Sequence, residues 1–144
     1  MRRLSWILFL LIVSGIACEP DRSDDPIPYT PFADIVINLN LPQYNALFVD
    51  GGFVTIGGGV RGIIIYRLNP SSYLAFERNC SFHPNDACAT VDIDISGFYM
   101  IDPCCGSTFS LTTGMPIGGI AWRPLRQYKT SLSFSELTIT DEVL

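Results

Sequence analysis

The residues of this 144-residue chain best suited to chemistry are its cysteines. Cys18 stands alone near the start, and Cys80, Cys88, Cys104 and Cys105 lie in the second half. The four cysteines of the second half are an even number, and in an oxidising compartment this predicts disulfides between them but leaves their connectivity open. A bond between the adjacent Cys104 and Cys105 would close a strained small ring. The favoured pairings therefore join each of these two residues to Cys80 or Cys88.

A metal site is the competing interpretation of the same residues. Cys80 and His83 place a thiol and an imidazole three residues apart, and both groups suit zinc or iron. His83 is the only histidine in the chain, and a lone histidine in a polar loop is more often an exposed side chain than a ligand. The adjacent thiols of Cys104 and Cys105 are also closer in sequence than the thiols of a zinc knuckle. The spacing alone therefore favours disulfides.

The segment before Cys18 is typical of a secretory signal. Arg2 and Arg3 precede an apolar run over residues 4–17, which is shorter than the roughly 20 residues of a membrane-spanning helix. The residues around Cys18 resemble a bacterial lipoprotein signal, in which the cysteine is lipidated and becomes the new N-terminus. We predict a signal peptide over 1–17 and lipid attachment at Cys18. Ordinary cleavage, which leaves Cys18 free or paired, is the alternative.

Residues 18–33 predict a semi-rigid acidic tether, since they contain four prolines that restrict the backbone. Asp21, Asp24 and Asp25 resemble the acidic export signals of Bacteroidetes surface lipoproteins, or they form a solvated linker. We expect a protein of the bacterial cell envelope, bound to a membrane through Cys18 on the periplasmic side or at the cell surface. The net charge of −5 argues against a nucleic-acid partner. No protein partner is identified by the sequence.

Residues 34–144 predict one all-β domain of short strands. Ten prolines and twelve glycines in the chain favour many turns. Alternating apolar positions predict half-buried strands, and the spacing of the turns suits an antiparallel sandwich or small barrel. The predicted strands are 34–41, 53–56, 60–68, 73–77, 90–95, 98–101, 126–131 and 135–140, with one helical turn over 43–48.

The segment around the adjacent cysteines resembles the Rieske iron–sulfur domain family. Residues 102–109, Asp-Pro-Cys-Cys-Gly-Ser-Thr-Phe, are similar to the family's second cluster-binding loop, Cys-Pro-Cys-His-Gly-Ser-x-Phe/Tyr. Residues 119–128 are similar to its Gly-Pro-Ala-x-x-Pro-Leu-x-x-Tyr segment, and residues 73–80 to the strand that enters its first loop. The resemblance implies a Rieske-like (ISP-domain) fold with two cysteine-bearing loops at one end, of the kind found in Bacteroidetes lipoproteins.

Carried across residue by residue, the resemblance does not preserve the ligand set of the family. In the family, two thiolates and two imidazoles hold a [2Fe–2S] cluster. Cys80 matches the first thiolate, but Phe82 falls at the first histidine position and His83 follows one residue late. Asp102 stands at the second thiolate and Cys105 at the second histidine. If a cluster or metal were retained, the resemblance implies Cys80, His83, Asp102 and Cys105 as its ligands.

The resemblance does preserve a disulfide. Cys88 and Cys104 match the cysteines that join the two loops in the family, which implies the pair Cys88–Cys104. The former ligand positions Cys80 and Cys105 then face each other and are expected to form a second disulfide.

Two further residues of the second loop are expected to serve its structure. Gly106 would permit a close turn. Ser107, which in the family donates a hydrogen bond to cluster sulfur, would here bond to the loop backbone.

The sequence thus predicts a non-enzymatic structural or binding module with no favoured cofactor and no catalytic residue. One alternative is an electron-transfer protein with an atypical [2Fe–2S] cluster. Another is a thiol–disulfide redox protein, which would need a reactive thiol of low pKa.

Overall fold

The computed structural model of the chain describes residues 25–144. The predicted signal peptide and lipid attachment site at Cys18 lie outside these residues and stay predictions. Within residues 25–144, no helix is long and apolar enough to cross a membrane. The same residues contain a 3-10 helix, Pro42–Phe48, and the strands β1 (Ile35–Asn38), β2 (Phe53–Ile56), β3 (Ile63–Asn69), β4 (Ser72–Glu77), β5 (Asp92–Ile93), β6 (Met100–Ile101), β7 (Thr108–Phe109), β8 (Pro116–Gly118), β9 (Gln127–Ser133) and β10 (Glu136–Val143).

The larger sheet has six antiparallel strands in the order β1-β10-β9-β4-β3-β2. Its strand β3 is covered on both faces, which is why its apolar run does not alternate with polar residues. Ile63 and Ile65 pack in one core cluster with β1, β9 and β10, whereas Ile64 packs in the other. This strand therefore separates two hydrophobic cores.

The smaller sheet has four short antiparallel strands in the order β5-β6-β7-β8. Met100 and Phe109 from this sheet pack with Ile64 and Phe76 from the larger one. Cys80 belongs to the same cluster and is fully buried. The core between the two sheets thus extends to the base of the cysteine loops.

The predicted all-β antiparallel architecture is confirmed. The helical turn over 43–48 is also confirmed, and Pro42 lies in its first turn, where a missing N–H costs nothing. The predicted strand over 90–95 shortens to β5 because Asp94 accepts the backbone N–H of Gly97 and begins a turn. The sequence did not predict β7 and β8, whereas the short strands β5 and β6 lie within the longer predicted strands 90–95 and 98–101.

A buried carboxylate explains the glycine-rich turn between β2 and β3. Glu77 is fully buried and accepts the backbone N–H groups of Val60 at 2.8 Å and Arg61 at 3.0 Å. It also accepts the hydroxyl of Tyr128 at 2.8 Å. A Cβ at Gly59, which has φ +61°, would lie 2.1 Å from the Glu77 Oε2 atom. The turn must therefore carry glycine at this position so that its amides can reach the carboxylate.

Residues 25–33, the described part of the predicted tether, contact the β domain. The guanidinium of Arg126 donates to the carbonyl oxygens of Ile27 and Pro28. The ring of Phe32 packs edge-on against Tyr128, with the ring centroids 5.0 Å apart. This segment is therefore held along the surface of the domain, and the tether assignment for 18–33 as a whole stays a prediction.

Candidate thiol–carboxylate site

Two loops carry the four cysteines of the described region. Loop one, residues 78–91, runs from β4 to β5, and loop two, residues 102–107, runs from β6 to β7. A disulfide joins Cys88 of loop one to Cys104 of loop two, with the Cα atoms 5.5 Å apart. The pair implied by the family resemblance is therefore confirmed.

Beneath this disulfide, three side chains from the two loops converge. The Sγ atoms of Cys80 and Cys105 and a carboxylate oxygen of Asp102 all lie within 4.8 Å of one another. Cys80 and Asp102 are fully buried, whereas Cys105 is partly exposed. The two Sγ atoms are 4.0 Å apart, so the expected Cys80–Cys105 disulfide is not formed in this structure, and both residues are thiols.

Loop one fixes Cys80 through its backbone. Asn79 and Thr90 form an isolated antiparallel bridge, and the Cys80 N–H donates to the Ala89 carbonyl at 3.1 Å. The Phe82 N–H then donates to the Sγ of Cys80 at 3.5 Å. The two arms of the loop thus act as a short hairpin that points the thiol into the core.

Loop two is a tight turn closed on itself. The Asp102 N–H donates to the Ser107 carbonyl at 2.9 Å, and the Gly106 N–H donates to the Asp102 carbonyl at 2.8 Å. Gly106 has φ +72°, which glycine adopts without strain. The Cys104 N–H donates to Oδ1 of Asp102 at 2.8 Å. This bond fixes the carboxylate and leaves Oδ2 toward the sulfur atoms.

A chain of hydrogen bonds orients the Cys105 thiol. The Ser107 hydroxyl oxygen accepts the N–H groups of Ile120 at 3.2 Å and Ala121 at 2.9 Å. The Cys105 thiol lies within donor distance of two acceptors, the Ser107 hydroxyl oxygen at 3.1 Å and Oδ2 of Asp102 at 3.3 Å. A thiol has one hydrogen, for which these two oxygens compete. The Ser107 hydroxyl was expected to bond to the backbone of its own loop; instead it accepts the backbone of the segment after β8 and contacts a site sulfur.

Burial is the main influence on the pKa of the Cys80 thiol. It raises the pKa of Cys80 above the ordinary value, and the hydrogen bond to Asp102 acts in the same direction. The Phe82 N–H opposes this change and is the weaker influence. Without a cation beside it, Cys80 is therefore a protonated, unreactive thiol at neutral pH.

His83 is the predicted ligand that the structure does not bring into this cluster. Its backbone has φ +42°, which is uncommon for a residue other than glycine. Its ring packs edge-on against Phe82, and its Nδ1 lies 4.0 Å from Oδ2 of Asp25. Three of the four ligands of the alternative metal site thus come together, and the imidazole faces the N-terminal segment.

Sequence reasoning missed the contribution of the segment after β8. This segment supplies the two amides that hold Ser107, and it also contains Arg123. The Arg123 guanidinium donates to the Ser81 carbonyl oxygen at 2.6 Å, and the Ser81 hydroxyl donates to the Arg123 carbonyl oxygen at 2.6 Å. Arg123 also donates to the Asp25 carbonyl at 2.8 Å. The available signal was the 119–128 motif, whose conformation supports both loops.

No protein-family model matches the chain, and no curated protein matches it. Four chains of solved structures match, among them one from the complex of reduced oxygenase and oxidized ferredoxin in carbazole 1,9a-dioxygenase. That chain is 21% identical with a TM-score of 0.48, and the match covers 66% of this chain and 85% of that one.

The residues present do not fit a Rieske cluster. Such a cluster needs two thiolates on one iron and two imidazoles on the other, and the chain has a single histidine. Cys88 and Cys104 are consumed by their disulfide. The remaining donors are two thiols and a carboxylate, and a carboxylate is a hard ligand poorly suited to iron–sulfur centres.

Proposed function

We propose that the chain is a non-enzymatic binding module of the bacterial cell envelope, built on a Rieske-like domain without a Rieske cluster. The single observation that carries the proposal is the contact between Cys80 and Cys105, whose Sγ atoms are 4.0 Å apart. In the resemblance, these are ligand positions on opposite loops, between which a cluster would have to fit. Here the two sulfur atoms are in van der Waals contact.

The covalent frame around the site supports the same proposal. The Cys88–Cys104 disulfide holds the loops together without help from a cluster, and disulfides persist outside the cytoplasm. This agrees with the signal peptide over 1–17 predicted from the sequence. The lipid on Cys18 would then attach the module to a membrane.

The test is an analysis of the full-length chain, expressed with its signal and purified anaerobically in detergent. We expect a colourless protein whose intact mass shows loss of residues 1–17, a lipid on Cys18 and one disulfide. About two irons and two labile sulfides per chain, with the visible absorption of an iron–sulfur protein, would overturn the proposal.

Thiol–disulfide exchange is a second candidate, because Cys105 is partly exposed and its Sγ lies in contact with another thiol. One feature opposes it, because burial raises the pKa of Cys80. Since the thiolate is the attacking species, we expect the Cys80–Cys105 pair to react with a disulfide reagent no faster than an ordinary cysteine. A much faster reaction at pH 7 would favour the exchange function.

A further inference from the structure

We infer that Cys80, Asp102 and Cys105 bind one Zn²⁺ ion, with the fourth coordination position open toward solvent. The inference deepens the proposed function and rests on it, because a Rieske cluster would use the same residues. It specifies what the binding module binds: a single divalent metal ion that accepts both sulfur and oxygen ligands.

The distances between the donor atoms match one tetrahedral ion. Two thiolates at about 2.3 Å from a tetrahedral zinc are about 3.8 Å apart, and a thiolate and a carboxylate oxygen are about 3.6 Å apart. The structure has 4.0 Å between the Sγ atoms of Cys80 and Cys105. It has 3.3 Å between the Sγ of Cys105 and Oδ2 of Asp102. These two distances need to change by only a few tenths of an ångström, and the third, between the Cys80 Sγ and the Asp102 carboxylate, is within 4.8 Å.

Neighbouring polar groups contact each of the three ligands. Phe82 N–H donates to the Cys80 sulfur, and the Cys105 thiol can donate to the Ser107 hydroxyl oxygen, 3.1 Å away. Once the thiol proton is lost, that hydroxyl is a donor next to the thiolate. Cys104 N–H holds Oδ1 of Asp102, so that Oδ2 is directed at the sulfur atoms. Donors of this kind stabilise anionic ligands and fix their orientation at metal sites. The polar groups around the three side chains are therefore compatible with thiolate ligands.

The type of ion follows from the donors and their burial. Two thiolates exclude the hard ions Mg²⁺ and Ca²⁺, and a set of two sulfurs and one oxygen suits Zn²⁺. On binding, Zn²⁺ displaces the thiol protons of Cys80 and Cys105, which go to the buffer. Because Cys105 is partly exposed while Cys80 and Asp102 are fully buried, the open position lies on the Cys105 side. Water or a donor atom from a partner can occupy it.

The experiment is a zinc titration of the full-length chain, reduced with a phosphine and kept anaerobic. Phosphine reduction is adjusted so that the Cys88–Cys104 disulfide is retained, which the intact mass verifies. Zn²⁺ alone is added in competition with a chromophoric chelator, and native mass spectrometry counts the bound ions. We expect one Zn²⁺ per chain and protection of Cys80 and Cys105 from alkylation.

Variants separate the ligands from their surroundings. Cys105→Ser is expected to lower the Zn²⁺ affinity by at least about 100-fold, and Asp102→Asn and Ser107→Ala by about 10-fold or more. Asp94→Asn, in the exposed turn between β5 and β6, is the matched control and should bind as the wild type does. His83→Ala should also bind normally, which distinguishes this site from the four-ligand set implied by the resemblance. Circular dichroism verifies that each variant is folded.

The outcomes distinguish the inference from the proposed function. Iron and labile sulfide in the purified protein overturn both. A colourless protein that takes up no Zn²⁺ after reduction overturns the inference alone, as does equal binding by Asp102→Asn and the wild type. A colourless protein isolated with a Cys80–Cys105 disulfide in addition to Cys88–Cys104, which binds no Zn²⁺ once Cys80 and Cys105 are reduced, also overturns only the zinc site.

Discussion

Two fully buried carboxylates have opposite roles, and the difference lies in their partners. Glu77 accepts three backbone N–H groups, from Val60, Arg61 and Asn79, together with the Tyr128 hydroxyl. These donors satisfy it completely, so its role is structural. Asp102 accepts one backbone N–H and otherwise faces thiols, which are weak donors. A carboxylate in this position is the one that a cation would stabilise.

Tyr128 should make stability depend on alkaline pH. Burial raises the pKa of its hydroxyl above the ordinary 10.0, and the hydrogen bond to Glu77 acts in the same direction. The folded chain therefore holds this proton more tightly than the unfolded chain. The stabilisation is complete below about pH 10 and falls as the pH rises above that value. Denaturant unfolding of the wild type between pH 8 and 11 should show this decline.

Replacing Tyr128→Phe should remove that part of the pH dependence. The variant also loses the hydrogen bond to Glu77, so its free energy of unfolding at pH 8 should be lower by about 1.5–3 kcal/mol. Tyr44→Phe, which changes a partly buried tyrosine in the same core, is the control and should retain the alkaline decline. An unchanged decline in Tyr128→Phe would show that another group is responsible.

At the scale of elements, loop two depends on close packing by the segment after β8. Gly119 has φ +84°, and a Cβ there would lie 2.5 Å from the Ser107 Cα and 2.9 Å from the Gly106 carbonyl oxygen. Only glycine lets this backbone approach so near. The same approach brings the amides of Ile120 and Ala121 onto the Ser107 hydroxyl. The position of the Cys105 thiol is therefore decided by an element from outside its own loop.

Gly119→Ala should destabilise the domain more than Gly97→Ala does. Both glycines have positive φ, +84° and +74°, but a Cβ at Gly97 meets nothing within 4 Å. Gly97→Ala should cost about 1–2 kcal/mol for the left-handed backbone alone, and Gly119→Ala about 1–3 kcal/mol more for overpacking. Thermal or denaturant unfolding measures both. Equal costs would mean that the segment moves away from loop two without penalty.

The disulfide between the loops should contribute a large share of the stability. Cys88 and Cys104 are 16 residues apart, and a loop of about that length corresponds to about 3 kcal/mol. Replacing both by serine should lower the free energy of unfolding by this amount, measured by urea denaturation. Reductant should bring the wild type down to the level of the double variant and leave the variant unchanged. If reductant affects both proteins equally, the stabilisation comes from elsewhere.

At the scale of the whole molecule, the ends of the described chain are drawn onto one sheet. β1 pairs with β10, with Ile35 opposite Ile139. The N-terminal segment then crosses the surface, where the Tyr29 hydroxyl donates to the Asp141 carboxylate at 2.8 Å. Arg126 and Arg123 bind its backbone carbonyls. The segment that follows the predicted anchor is therefore part of the folded unit from residue 25 onward.

Arg126→Ala should release part of this segment. It removes charged hydrogen bonds to two carbonyls, and we expect a loss of about 1.5–3 kcal/mol in the free energy of unfolding. Lys129→Ala removes the same charge from an exposed pair with Glu142 and should cost less than about 1 kcal/mol. Limited proteolysis within residues 25–33 should increase in Arg126→Ala only. Similar unfolding and proteolysis of the two variants would show that the segment is held by its apolar contacts instead.

The strand pattern could be predicted from local sequence because it depends on the alternation and length of apolar runs. The prediction failed at β7 and β8, which lie outside the runs predicted as strands, whereas the equally short β5 and β6 lie within such runs. His83 illustrates a different limit. Its spacing from Cys80 is compatible with a shared metal, yet the backbone turn at Phe82 and His83 directs the imidazole toward Asp25. Spacing in sequence does not determine the direction of a side chain in an irregular loop.

The sequence by itself determined the all-β fold class, because residue type and periodicity are local properties. The spacing of the cysteines left their connectivity open, and the two cysteine loops and the Cys88–Cys104 pair were implied only by the family resemblance. Only the tertiary structure decided that Cys80, Asp102 and Cys105 converge while His83 does not. It also decided that Ser107 is oriented by amides thirteen and fourteen residues away. These contacts depend on how two loops and a distant segment pack against one core, and no short stretch of sequence contains that information.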